Sequence, residues 1–400
     1  MITFKAALQA VLENTEDYGT ESVPLLQANN RILAESIVAD RDFPPFNRVT
    51  KDGIAIQYKN LEPNKTVFKA TMVAQAGSPQ LILKDDATCI EVMTGAMVPK
   101  NADTVIMYEH TTEDNGIFTV ENTVVKGQNI HYRATDVASG EELLQPGLKI
   151  TAAEIGVLAT VGKSEVLVKK LPKIAVVATG NELVKVDETP LPHQIRKSNT
   201  HSLAALLADE NITAETYHFN DDESILQRNL ESLLTDYDVL LLSGGVSKGK
   251  FDFLPKTFEE LSVKKIFHKV LQRPGKPFWF GKHETKKSIV FAFPGNPVST
   301  FVNYHLYLKP WLNKSLDTES SQFTVFLEEP FVNKTDLTMF VGVKTRIKAG
   351  VLCANTLNTS GSGDLLNLSR ASGFVQMEPN QSVGEDGAVL SFIPTKSIIV

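Results

Sequence analysis

Three apolar, β-branched runs constrain this chain more than any other feature. Residues 173–178 (KIAVVA) lead into Thr179-Gly180, 238–243 (DVLLLS) into Gly244-Gly245, and 288–293 (SIVFAF) into Pro294-Gly295. Helical patterns fill the gaps at 200–210, 223–235 and 254–261, and one follows at 298–309. Continuously apolar strands alternating with helices predict a parallel sheet covered on both faces. Such sheets bind ligands in the crevice beyond the carboxyl ends of their strands. Each run here ends in small or turn residues, which lets the backbone approach a ligand closely.

The flanking sequence has a different texture. Phe4–Leu12 reads as a short amphipathic helix, without the basic start and apolar core of a signal peptide. Short β-type runs such as 53–56 (GIAI) and 103–107 (DTVIM), broken by Gly, Pro and Asn, predict a small β domain. A connecting stretch carries a turn at Pro146-Gly147 and a candidate helix cap at Thr151. Strand-like runs return after residue 320, including 387–393, and predict a second small β domain or barrel. The fold class is therefore multidomain α/β plus β. Its expected parts are an N-terminal mixed domain (1–44 with 136–170), an inserted β domain (45–135), a central α/β domain (171–315) and a C-terminal barrel-like β domain (316–400).

Composition excludes several functions. A net charge of −7 argues against a dedicated nucleic-acid or membrane-surface binder. Two cysteines without CxxC spacing exclude a disulfide framework or structural zinc site, and fit a reducing, cytoplasmic setting. The eight histidines show no zinc-ligand spacing. No GxSxG elbow is present.

Four groups of residues carry candidate chemistry. The segment 243–252 (SGGVSKGKFD) follows a buried strand and precedes a helix. Gly244, Gly245 and Ser247 suit a nest of backbone N–H groups for an anion; the plain alternative is a strand-to-helix turn. Its near-match to a P-loop fails where Phe251 replaces the magnesium-binding Ser or Thr. Lys269, Arg273 and Lys276 are spaced along a proline-bounded turn, either an anion clamp or an exposed basic loop. Pro294-Gly295-Asn296-Pro297 ends a strand and opens a helix, with Asn296 suited to the cap and Pro297 to the first helical position. Last, Asp52, Asp136, Glu182, Asp221 and Asp252 all stand beside turns, as oxygen ligands for Mg2+ would, although Asp221 or Asp252 would also serve as a helix cap.

Taken in order, these segments resemble the MoeA family of molybdopterin molybdenumtransferases, which includes the E domain of gephyrin. The matching stretches are 42–46 (DFPPF) with 51–53 (KDG), 93–99 (MTGAMVP), 127–130 (GQNI), 179–183 (TGNEL), 195–199, 243–252, 273–277 (RPGKP), 294–297 (PGNP) and 361–363 (GSG). Asn181 stands where an Asp is common in the family. The resemblance implies a homodimer that takes adenylylated molybdopterin and molybdate, inserts molybdenum at the dithiolene and releases AMP, with Mg2+. It places the site between the molybdopterin-binding α/β domain of one subunit and the inserted β domain of the other.

By motif, Asp52, Glu182, Asp221, Asp252 and Lys269 would be catalytic. Glu182, Asp221 and Asp252 would hold the metal. Thr94, Asp136, Gly244, Gly245, Ser247, Arg273, Lys276, Pro294, Pro297 and Ser362 would bind substrate. The rival expectations are a non-catalytic dimeric scaffold of the gephyrin type, a molybdopterin adenylyltransferase, and a P-loop nucleotide hydrolase. Other proteins of molybdenum cofactor biosynthesis are further candidate partners, and nucleic acid and membrane are not expected.

Overall fold

The computed structural model describes residues 1–62, 66–246, 253–318, 321–359, 361 and 363–396. It divides into two compact units: Met1–Ser22 with Asn30–Ile32 and Leu167–Val400, and Val23–Asn29 with Leu33–Val166.

The first unit is built on a six-stranded sheet. Its strands are β1 (Ile174–Thr179), β2 (Glu215–Phe219), β3 (Val239–Ser243), β4 (Val263–His268), β5 (Trp279–His283) and β6 (Ile289–Phe293), in the order β2-β1-β3-β6-β5-β4. The first four positions are parallel; β5 pairs antiparallel with both β6 and β4, so β5 alone runs against the others. All six residues of β1 are buried. Ile174 and Val176 pack with Leu203 and Leu207 of the helix Asn199–Ala208. Ala175 and Val177 face the other way, against Leu226, Leu230 and Leu233 of the helix Glu223–Asp236. Side chains alternate along a strand, so two apolar layers require an unbroken apolar run. Each buried Leu or Val contributes about 1.5–3 kcal/mol.

The helix Pro297–Asn303 runs into a π-helical turn, Tyr304–Leu308, before Lys309–Ser315. The helix Phe4–Leu12 forms as expected; Thr3 caps it, and its Ala7 and Val11 join the Ile174 layer.

The C-terminal strands close into a five-stranded barrel. Thr338–Lys348, eleven residues long, pairs with both Val351–Thr356 and Gly373–Met377. Phe323–Leu327 and Ala388–Pro394 complete the ring. The short strand Val270–Arg273 docks alongside Thr338–Lys348, with Gln272 opposite Thr338 and Arg273 opposite Met339. This pairing sets the turn that begins at Arg273 against the barrel.

The second unit holds another six-stranded sheet, ordered Thr104–Met107, Gly53–Ile56, Thr88–Val92, Val67–Ala74, Ile117–Val120, Thr111–Asp114. Ala55 and Ile90 pack on one side, Ile54, Ile56 and Phe68 on the other. Its helix Ala152–Thr160 begins with a capping box between Thr151 and Glu154. Cys89 and Cys353 are both buried and free. Among the described residues no helix is long and apolar enough to cross a membrane.

Candidate functional site

The parallel strands of the first unit end at a cleft of about 880 Å3. Its lining includes Glu182, Asp221, Gly244, Gly245, Arg273, Lys276 and Pro294, seven of the residues expected from sequence. Strand order fixes their arrangement. Asp221 follows β2, Glu182 follows β1, Gly244 follows β3 and Pro294 follows β6, so they stand in that order along the sheet edge. The carboxylates thus occupy one end. The cations occupy the other, because the Arg273–Lys276 turn is tied through Asn303 to the helix beyond Pro294.

Backbone geometry accounts for the carboxylate end. Gly180 sits at φ +144°, and a Cβ there would lie 2.6 Å from a Glu182 carboxylate oxygen. Glycine is therefore what gives the Glu182 head group its place. The Asn181 side chain accepts a hydrogen bond from the Asp221 amide at 3.1 Å, which draws the two loops together. The helix Glu223–Asp236 is capped by Asp222, whose carboxylate accepts from Ile225 N at 2.9 Å. Capping thus falls to Asp222, and Asp221 faces the cleft.

The glycine turn differs from a full anion nest, because the Gly244 amide already donates to Phe293 O at 3.1 Å. Ser247, Asp252 and Ser362, also expected at the site, lie outside the described residues. Lys269 and Pro297 do not line the cleft. Lys269, at φ +72°, spends its amide on Phe278 O at 2.9 Å in the bend before Val270–Arg273. Pro297 takes the first helical position beside Asn296, which stands at the N-cap in an extended backbone conformation and makes no side-chain capping bond.

Other residues that line or support the cleft were missed. Thr179 ends β1; it is buried, and its hydroxyl has no hydrogen-bond partner among the described residues. A buried hydroxyl left unpaired costs about 1–3 kcal/mol. Asn199, within a stretch that carried the resemblance but no assigned role, donates to Ser243 Oγ at 2.8 Å and to Gly295 O at 2.7 Å, pinning two strand ends together. Its position at a helix start was the available signal. The barrel wall, including Met339, Val341, Thr356, Asn358, Thr359 and Phe374, gave none, because its residues come from distant strands.

Asp52, Thr94 and Asp136 belong to the second unit. Asp52 precedes the strand Gly53–Ile56, and Thr94 follows Thr88–Val92. Thr94 binds Asp52 through both its backbone and its hydroxyl, and these bonds hold the Asp52 carboxyl below the usual range. Asp136 accepts from His131 at 2.9 Å, and the other ring nitrogen of His131 lies 3.1 Å from the Arg48 guanidinium. Arg48 is a donor only, so His131 accepts through Nδ1 and carries its proton on Nε2.

Fold and cleft together define a multidomain α/β protein suited to an anionic ligand at the carboxyl ends of its strands, with a β barrel forming the facing wall. Residues 2–162 match the MoeA N-terminal region (domain I and II), and residues 175–314 match a probable molybdopterin binding domain. The chain is 34% identical over 396 residues to the molybdopterin molybdenumtransferase of a Synechocystis species, covering 98% of this chain and 99% of that one. A Staphylococcus epidermidis molybdopterin molybdenumtransferase is 30% identical over 414 residues, covering 99% and 96%. A solved molybdopterin biosynthesis MoeA protein from Pyrococcus horikoshii superposes with TM-score 0.83 at 27% identity, covering 99% and 100%. The chain belongs to the molybdopterin molybdenumtransferase (MoeA) family.

Proposed function

We propose that this protein transfers molybdenum from molybdate to adenylylated molybdopterin and releases AMP. The observation that carries this reading is the single cleft with carboxylates at one end of the sheet edge and cations at the other. Arg273 and Lys276 offset the charge of molybdate and phosphate, Arg as a planar fork and Lys as a point charge. Catalysis then rests on positioning and electrostatics, without a covalent enzyme intermediate.

The donor set fits Mg2+. Among the described residues no three His, Cys, Asp or Glu side chains converge, but Glu182 and Asp221 share one end of the cleft. Mg2+ commonly takes one or two carboxylates and completes its shell with substrate phosphate and water. Glu182 and Asp221, with Asp252, would hold it. When bound, the ion would offset pyrophosphate charge and polarise it for cleavage. Glu182 and Asp221 unscreened would repel both substrates, so EDTA is expected to abolish turnover, and full turnover in EDTA removes the metal role.

The working assembly in this reading is a cytoplasmic homodimer in which a second copy supplies Asp52, Thr94 and Asp136. The test is AMP release from adenylylated molybdopterin by the purified chain. Release that requires molybdate supports the proposal. Molybdate binding without release favours a gephyrin-type scaffold, and ATP-dependent adenylylation of molybdopterin favours the adenylyltransferase.

A further inference from the structure

Beneath the Arg273–Lys276 turn lies a buried polar network. Gln272, Asn303 and Tyr307 are each fully buried. The Gln272 amide donates to Pro274 O at 2.9 Å and to Asn303 Oδ1 at 2.9 Å. The Asn303 amide donates to Gly275 O at 3.4 Å, and the Tyr307 hydroxyl donates to Gln272 Oε1. Both carbonyls at the centre of the turn are therefore held from below. Gly275, at φ +89°, presses so close that a Cβ would stand 2.3 Å from Asn303 Oδ1. Tyr307 belongs to the π-helical turn, a conformation that concentrates at functional sites.

Apolar side chains of similar size would fill this space without the desolvation cost of three polar groups. What the network adds is a fixed backbone, because a satisfied set of buried hydrogen bonds specifies one arrangement. Arg273 and Lys276 flank the held carbonyls, are exposed, and line the cleft.

We propose that Gln272, Asn303 and Tyr307 are positioning residues that set the spacing of Arg273 and Lys276 for a tetrahedral oxyanion. The inference rests on the oxyanion role given to that turn above. The three residues act through the two cations. Charge attraction alone tolerates a loose backbone; a geometric fit to an oxyanion does not.

The test is molybdate affinity by calorimetry on the full chain, with Asn303→Leu and Tyr307→Phe each made in wild type and in Arg273→Ala. Asn303→Leu is expected to weaken binding about tenfold in wild type and no more than about threefold in Arg273→Ala, because the cation it positions is gone. Tyr307→Phe, which keeps the ring in the core, is expected to show the same coupling at smaller size, and it carries the comparison if Asn303→Leu fails to fold. Equal weakening in both backgrounds, or unchanged affinity in folded variants, overturns the inference. A wild-type chain that binds no molybdate overturns it too. Coupled molybdate binding without AMP release sinks the proposed activity and leaves the positioning role standing.

Discussion

Thr94 donates twice to one carboxylate oxygen of Asp52, from its backbone N–H at 2.6 Å and its hydroxyl at 2.7 Å. Hydrogen bonds to the charged form favour it, and the Thr94 side chain is the larger cause of the lowered Asp52 pKa. Thr94→Val keeps the backbone bond and removes the hydroxyl. The Asp52 pKa is expected to rise part of the way to its ordinary value, as read by NMR titration of the carboxyl. No rise would mean that the hydroxyl bond contributes nothing in solution. Because the folded pKa is depressed, the stability this pair contributes is complete above the unfolded Asp pKa and disappears as pH falls through the folded one.

If a second copy supplies Asp52, two inactive variants will complement each other. Co-expressed Asp52→Ala and Glu182→Ala chains would form mixed dimers in which one site carries both changes and the other carries neither. Statistical assembly then restores about a quarter of wild-type AMP release. A site built within one chain gives no recovery, and that outcome contradicts the shared assembly.

Of two neighbouring aspartates, Asp222 caps a helix and Asp221 lines the cleft. Asp222→Ala removes the cap of Glu223–Asp236 and is expected to lower Tm while the KM for substrate stays near wild type. Asp221→Asn is expected to leave Tm in place and reduce kcat. The reverse pattern would return Asp221 to capping.

Gly180→Ala introduces a Cβ into the Glu182 carboxylate at a φ that L side chains rarely adopt. It is expected to cost about 1–3 kcal/mol of stability. It is also expected to reduce turnover more than substrate affinity, in parallel with Glu182→Ala. Unchanged turnover in both variants would take Glu182 out of the mechanism.

His305 is buried in the core, and its pKa is pushed down to about 3, chiefly by burial and also by Lys309 nearby. The unfolded chain takes up this proton near pH 6.5, whereas the folded chain refuses it until far lower. Stability is therefore expected to fall as pH drops from about 6.5 towards 3. His305→Phe, beside Phe301, should flatten that slope in denaturant melts. An equal slope would show that His305 is not the group responsible.

The parallel sheet was legible because two-sided burial writes itself as unbroken apolar sequence, as in Ile174–Thr179. The carboxylates and the basic turn were legible as residue types beside turns. Adjacent Asp221 and Asp222 could not be told apart, since either offers a cap and only three-dimensional geometry selects one. Gln272 lies within the basic turn, where no sequence signal marks it for burial, yet it is fully buried, because pairing with the barrel strand Thr338–Lys348 covers it. The π-helical turn leaves no periodic signature over five residues, so the reach of Tyr307 to Gln272 was invisible.

The central claim is that the proline-flanked cationic turn receives the metal oxyanion. Anomalous diffraction at the molybdenum edge, from crystals soaked in molybdate, tests it most directly. The account predicts a molybdenum peak within hydrogen-bonding reach of Arg273 or Lys276, lost in Arg273→Ala. A peak elsewhere on the chain, with that turn empty, would contradict it.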